Sequence, residues 1–255
     1  MTAPDDLELF RIQFEDTLDG NGRAIAPYGI AIVCTAERDE LWIAREVPDA
    51  LVAELTAAFE GAARSRVEPE PPALERCRPI LERDGRAVER SGGPSYVFPD
   101  AVSFACDVRV ERSDASTAES LREANPSNWH PVEWNELLDG KLGPWAIATE
   151  GELVVSVCHT ARVITPRGAE CGVWTRPGYR GRGYAAAATS AWAAAMRPYG
   201  RHLFYCTGVA NRSSQRVTER LGLRRIGWIW RLQVPRVDDD NLHPLSSLRN
   251  ARSPA

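Results

Sequence analysis

A β-rich run, Ala169 to Thr175, passes through Arg180-Gly181-Arg182-Gly183-Tyr184-Ala185 into an alanine-rich run ending at Met196. A strand that feeds a helix through two glycines must set a tight turn at the helix N-terminus. There the first backbone amides lack intrahelical partners and the helix dipole is positive. That arrangement is an anion cradle. A β-carbon at Gly181 or Gly183 would hold a diphosphate away from the amides, and Ala185 to Ala188 keep the first helical turns thin.

Charge supports a local anion. From Cys171 to Thr218 there is no Asp or Glu, while Arg176, Arg180, Arg182, Arg197, Arg201, Arg212 and Arg216 all fall there. Such a segment in a chain of net charge −4 implies a polyanionic partner at one place. The same net charge argues against a whole surface built for nucleic acid. Lys141 is the only lysine, so a lysine-centred phosphate loop is excluded and phosphate contacts fall to arginine forks and amides. Gly181-x-Gly183-x-x-Ala186 also fits the dinucleotide fingerprint. That reading fails, because no carboxylate lies about 20 positions on to hold a ribose and few strands follow.

The chain has 255 residues, 44% of them apolar, enough for a substantial core and for two domains. Residues 1–98 read as a small α/β unit: strands at Tyr28 to Val33 and Leu41 to Ala44, and a helix from Asp49 to Glu60. A Pro-, Arg- and Glu-rich segment, Val67 to Glu89, reads as an irregular connection or a solvated helix. Ser91-Gly92-Gly93-Pro94 marks a domain boundary. Residues 99–236 read as the second domain. It would hold a strand at Val102 to Val110, helical material from Ser120 to Leu138 broken by Pro126 and Pro131, and a hairpin of Pro144 to Thr149 with Leu153 to Val157. After the Gly-rich turn and its helix come a strand at Leu203 to Cys206, a helix from Arg212 to Arg220 and a strand at Ile226 to Gln233. Residues 237–255 read as a mobile tail.

The six cysteines form no C-x-x-C pair and no metal-like spacing with the four histidines, which predicts buried free thiols, no metal and a cytoplasmic setting. The first residues lack signal-peptide features, and no apolar run reaches the length of about 20 residues that spans a bilayer, so no membrane partner is expected. Cys158, His159 and Cys171 could be read as a thiol with its base. Neighbours on a strand point to opposite faces, however, which favours structural cysteines.

The block Ala169-Glu170-Cys171-Gly172-Val173-Trp174-Thr175-Arg176-Pro177-Gly178-Tyr179 leading into the turn, followed by Asn211-Arg212-Ser213-Ser214 and Arg220-Leu221-Gly222-Leu223, resembles the GNAT superfamily of N-acetyltransferases. The likeness covers roughly residues 101–234. It implies an α/β (α+β) fold with a mixed, mostly antiparallel central sheet flanked by helices, preceded here by the smaller α/β N-terminal domain. It also implies acetyl-CoA or another acyl-CoA as cosubstrate and an amine as acceptor, by direct attack in a ternary complex. A homodimer stays open.

By that resemblance Arg180, Gly181, Arg182, Gly183, Tyr184 and Ala185 hold the diphosphate. Val173, Trp174 and Thr175 pair with the pantetheine arm, a backbone N–H near Val173 serves the developing oxyanion, and Asn211 and Ser214 bound the far side of the slot. Glu170 is the expected base. Trp129, His130, Glu133 and Trp134 fall where the acceptor would lie, or pack a helix onto the sheet. Thr218 stands where the family often has a tyrosine acid, and that departure keeps an inactive acyl-CoA-binding module open as a second reading. A nucleic-acid-binding role for the arginine segment ranks below both, since no aromatics interleave with it at regular spacing.

Overall fold

The computed structural model describes residues 3–25, 29–64, 70–83, 85–115, 118–161 and 164–234. The chain falls into two compact units: Met1–Tyr96 with Cys206–Asn211 and Arg225–Asp239, and Val97–Tyr205 with Arg212–Arg224 and Asp240–Ala255. The tail expected at 237–255 lies outside the described residues. Residues 206–211 and 225–234 thus group with the first unit.

In the first unit, helix α1 (Asp6–Gln13) is capped by Asp5, whose side chain accepts from the Glu8 amide at 2.7 Å. Strands β1 (Gly29–Cys34) and β2 (Asp39–Ile43) form an antiparallel hairpin. Helices α2 (Asp49–Glu60) and α3 (Ala73–Leu81) follow, then β3 (Glu89–Val97). The last strand of the chain, β9 (Arg224–Gln233), pairs antiparallel with β1, so the order is β2-β1-β9-β3. Ile32, Leu55, Leu74, Cys77, Leu81 and Leu232 are all buried in one cluster.

Two readings are corrected here. Ser91-Gly92-Gly93-Pro94 is the middle of β3, not a linker. The glycines answer to close backbone approach: a Cβ on Gly93 would stand 1.8 Å from the Thr207 carbonyl oxygen. The Pro- and Arg-rich segment contains α3, with Pro79 inside it and Leu74, Cys77 and Leu81 buried.

The second unit carries β4 (Arg109–Arg112), α4 (Pro131–Leu138), β5 (Trp145–Glu150), β6 (Leu153–Thr160), β7 (Gly168–Thr175), α5 (Tyr184–Met196), β8 (His202–Cys206) and α6 (Arg212–Arg220). The strand expected at Val102 to Val110 is shorter and later, because only Arg109–Arg112 meets a partner, β5. Its sheet runs β8-β7-β6-β5-β4. The β4-β5, β5-β6 and β6-β7 pairs are antiparallel and β7-β8 is parallel. This is the expected mixed, mostly antiparallel sheet with helices against it.

The register sorts the side chains. His159 stands opposite Gly172, and Val157 opposite Trp174, which puts these four with Glu170 on one face. There Val157 and Trp174 meet Trp129, Trp134 and Leu137 from the α4 region. Cys158, Cys171, Val173 and Thr175 share the other face, where α5 lies. Its buried alanines, Ala186, Ala187, Ala188, Ala193 and Ala195, let the helix come close. The Trp192 indole N–H donates to Thr160 Oγ1 at 3.3 Å. Trp192 is fully buried, so Trp192→Ala should cost about 3–5 kcal/mol, read as a lowered denaturation midpoint in urea followed by circular dichroism.

Candidate functional site

The parallel ladder between β7 and β8 runs from Gly168↔His202 to Cys171↔Tyr205 and stops. The antiparallel ladder with β6 continues to Thr175. Along Gly172–Thr175 the β8 side of the strand is therefore an unpaired edge, and burial falls accordingly: Ala169 and Cys171 are buried, while Gly172, Val173, Trp174 and Thr175 are all partly exposed. An extended ligand with alternating amide groups can add to such an edge as a strand would.

Directly after this edge comes the Gly-rich turn. Gly178, Gly181 and Gly183 have φ of +84°, +83° and +94°, the left-handed region that favours glycine. Gly183 is the N-cap of α5, and no acidic residue lies in the helix's first turn. The orphan amides of that turn, Tyr184 and Ala185 among them, thus meet no carboxylate of their own helix. The two glycines differ in surroundings. A Cβ on Gly181 would meet nothing within 4 Å, whereas one on Gly183 would lie 3.1 Å from Phe104 and 3.4 Å from Cys106 Sγ. So glycine is set at 181 by backbone conformation alone, and at 183 by conformation and packing together.

Arg182 is not a bare cation. Its guanidinium meets the Glu150 carboxylate at 3.3 Å and lies over the Tyr179 ring at 4.9 Å. The Tyr184 hydroxyl donates to the same Glu150 oxygen. That bond and partial burial hold the Tyr184 hydroxyl above its ordinary pKa. Glu150, the last residue of β5, is a member of the site that the sequence did not reveal. It lies 32 positions before Arg182 and carries no local signal. Arg220 on α6 also reaches the turn, donating to Gly181 O at 3.4 Å.

The seven arginines of the acid-free stretch serve several ends. Arg176 Nε donates to Val154 O at 2.9 Å and Arg201 Nε to Thr165 O at 2.7 Å, so both tie backbone together. Arg212 bonds Gln215. Arg180, Arg197 and Arg216 are exposed.

Among the residues expected near the acceptor, Trp129 stands closest to the ring of Trp174 on β7. Its ring stands edge-on to Trp174 (5.5 Å between centroids, 80°) and to His159 (6.2 Å, 83°). His130 and Glu133 form a capping box on α4, the Glu133 carboxylate accepting from the His130 N–H. Trp134 is core, with its indole N–H on Leu121 O at 2.9 Å. Glu170 is half-buried on β7, opposite Phe204 of β8. Asn211 is exposed just before α6, its N–H donating to Gly208 O, and Ser214 is half-buried on α6. Thr218 is fully buried and donates to Gln215 O at 2.7 Å, a helix-internal bond.

All six cysteines are free. Cys158 and Cys171 are neighbours on the α5 face, and burial pushes the Cys171 thiol up, with Cys158 adding to the effect. Burial likewise raises Cys34 to about 12 and Cys77 to about 11. Thiols so held are protonated at neutral pH and poor nucleophiles. Among the described residues no group of three potential metal ligands gathers, and no helix is long and apolar enough to cross a membrane.

Residues 97–224, half of the chain, match a family model described as an acetyltransferase (GNAT) domain. No curated protein sequence matches the chain. Among solved structures it is similar to a GNAT-family protein from Novosphingobium aromaticivorans DSM 12444, at 20% identity and TM-score 0.45, covering 76% of this chain and 84% of that one. A GNAT-family acetyltransferase from Colwellia psychrerythraea aligns at 12% identity and TM-score 0.45, over 92% and 98% of the two chains. A GCN5-related N-acetyltransferase-like protein from Streptococcus suis 89/1591 aligns at 16% identity and TM-score 0.44, over 90% and 98%.

The contrast between the two glycines is open to measurement. Gly181→Ala should destabilise by about 1–2 kcal/mol, the cost of a left-handed non-glycine residue. Gly183→Ala should cost more, since Phe104 must also shift, and paired thermal melts of the two variants read the difference.

Proposed function

The chain belongs to the GNAT acetyltransferase family, and on that premise we propose that it moves an acetyl group from acetyl-CoA to an amine by direct attack within a ternary complex. The observation that carries this reading is the end of the β7-β8 ladder at Cys171↔Tyr205, immediately ahead of three left-handed glycines and the N-terminus of α5. Acyl-CoA presents an amide-bearing arm and a diphosphate in that same order.

In this proposal Val173, Trp174 and Thr175 hold the arm through the unpaired strand edge. The amides of Arg180 to Ala185 hold the diphosphate, and Arg182 adds charge while Glu150 and Tyr179 fix its direction. Asn211 and Ser214 bound the slot beyond. The thioester supplies an activated acyl carbon, and the residues on the Glu170 face of β7 handle the incoming amine. Such an amine arrives at neutral pH mostly as its ammonium form and must lose a proton before it can attack. Glu170, partly exposed on the strand that enters the turn, is the proposed acceptor of that proton. Trp129 and Trp174 give the amine an aromatic wall. Thr218 is spent on its own helix, so the leaving thiolate takes its proton from water.

Calorimetry with acetyl-CoA, followed by thiol release with a panel of small amines and N-terminal peptides, tests the reading. Binding should occur, and Arg182→Glu should weaken it at least tenfold by placing a second carboxylate beside Glu150. Glu170→Gln should keep the affinity and lower kcat/KM at pH 7 by about 10²-fold, in the usual range for losing an acid–base group. No heat with acetyl-CoA would overturn the reading, and binding with no turnover on any acceptor would leave an inactive acyl-CoA-binding module in its place.

A further inference from the structure

Amide formation from an ammonium releases two protons from nitrogen, one before attack and one as the new bond forms. Glu170 accounts for one of them. The same face of the sheet holds a second group suited to the other.

His159 is 6% exposed on β6, opposite Gly172 of β7. Its Nδ1 lies 3.0 Å from the Thr160 carbonyl oxygen. A carbonyl can only accept, so Nδ1 carries the hydrogen and the neutral ring presents a bare lone pair at Nε2. Burial lowers the imidazole's pKa, which keeps the ring neutral at pH 7. Among the described residues that bond to Thr160 is the ring's one hydrogen bond.

Nε2 points over β7. A Cβ built on Gly172 would stand 3.1 Å from it and 3.0 Å from the Ala161 Cβ, so the ring lies close over the Gly172 backbone and a larger residue there would press on Nε2. Gly172 is also the first residue past the last β7-β8 pair, where the unpaired edge begins. Glu170 and Trp174 flank it on the same face. Trp129 covers His159 edge-on, and its own Nε1–H is buried with no acceptor among the described residues. A buried donor left without an acceptor is costly, and a purely apolar filling of this corner would avoid that cost. Among the described residues, the other ionisable side chains on this face include Glu133 at the α4 cap, Glu111 on β4, two strands away, with Arg109 at 3.1 Å, and His202 on β8, whose ring lies 6.5 Å from that of Phe204.

We propose that His159 is a catalytic residue whose Nε2 takes the second proton from the amine nitrogen as that nitrogen bonds to the acyl carbon. This rests on the acyl-CoA reading above. The carbon–nitrogen bond forms and the carbon–sulfur bond breaks with its electron pair going to sulfur. The first nitrogen proton goes to Glu170 and the second to His159 Nε2. Sulfur takes one proton from water, and both side chains return theirs to solvent, so one proton is released per turnover. Gly172 lets the imidazole lie close over β7.

The two proton acceptors separate by pH. Raising the pH supplies free amine from solution, so Glu170→Gln should regain activity toward alkaline pH. His159→Gln should lose about 10²- to 10⁴-fold in kcat, with KM for the amine and Kd for acetyl-CoA within about threefold of the parent, and alkaline pH should not restore it. A reading independent of turnover comes from 15N-histidine NMR of the unmodified protein. It should show one neutral ring with its hydrogen on Nδ1 at pH 7, a signal that His159→Gln removes.

A kcat for His159→Gln within about threefold of the parent, a defect that alkaline pH repairs, or a ring protonated at Nε2 would each overturn the proposal. If His159→Gln fails to fold, the NMR signal of the unmodified protein carries the test: a ring with its hydrogen on Nδ1 supports the proposal and one with it on Nε2 overturns it. An unmodified protein inactive with every amine would sink the acyltransferase reading itself. An active protein indifferent to His159→Gln would sink only this inference.

Discussion

Beyond Cys171 the strand β7 keeps its antiparallel partner and loses its parallel one, and the rest of the candidate site is arranged around that loss. An edge of unpaired N–H and C=O groups is a liability in a folded chain unless it is short or covered. Here it is four residues long and is locked on its other side by β6, so it cannot relax by curling away. The alanine face of α5 holds the strand from one side and the Trp129 and Trp134 cluster from the other. The open edge is rigid because everything except the edge is packed.

The electrostatics of the turn follow from where the β5-β6 hairpin ends. A run of forty-eight residues from Cys171 to Thr218 contains no acid, yet its central arginine is met by Glu150 from outside the run. One carboxylate oxygen takes both the Arg182 guanidinium and the Tyr184 hydroxyl. Arg182, half exposed, thereby sits over the Tyr179 ring. The side chains of the turn are therefore already placed, which would reduce the ordering cost of an anion held there. The backbone amides, not the guanidinium alone, carry the positive end.

What was legible in the sequence was local. The strand, turn and helix from Ala169 to Met196 follow from composition and spacing, as do the hairpin around Gly151 and the short helix Arg212–Arg220. The failures were long-range. Gly92 and Gly93 have the composition of a linker, and only the nearness of Trp230 and Thr207 shows why a strand needs them. Helix α1 buries Leu7, Leu9, Phe10 and Ile12 within eight residues, with alternation at its start that hides a helical stripe. Residues 102–108 alternate like a strand but find no ladder partner. Glu150 and the Gly172–His159 contact depend on register between strands, which no local pattern encodes.

That register gives adjacent residues opposite roles. Cys158 and His159 are one residue apart on β6, and Cys171 and Gly172 one apart on β7. Pairing sends both cysteines beneath α5, where burial keeps the Cys171 thiol protonated. It sends the imidazole to the Trp129 face, where burial keeps it neutral and its Nε2 lies close over Gly172. The same desolvation thus silences a thiol as a nucleophile and preserves an imidazole as a base, because the form that burial favours is inert for sulfur and reactive for nitrogen. A slip of one residue in the β6-β7 ladder would exchange the two faces. The chemistry available to the acceptor is in this sense fixed by the ladder that also leaves the edge at Gly172 to Thr175 exposed.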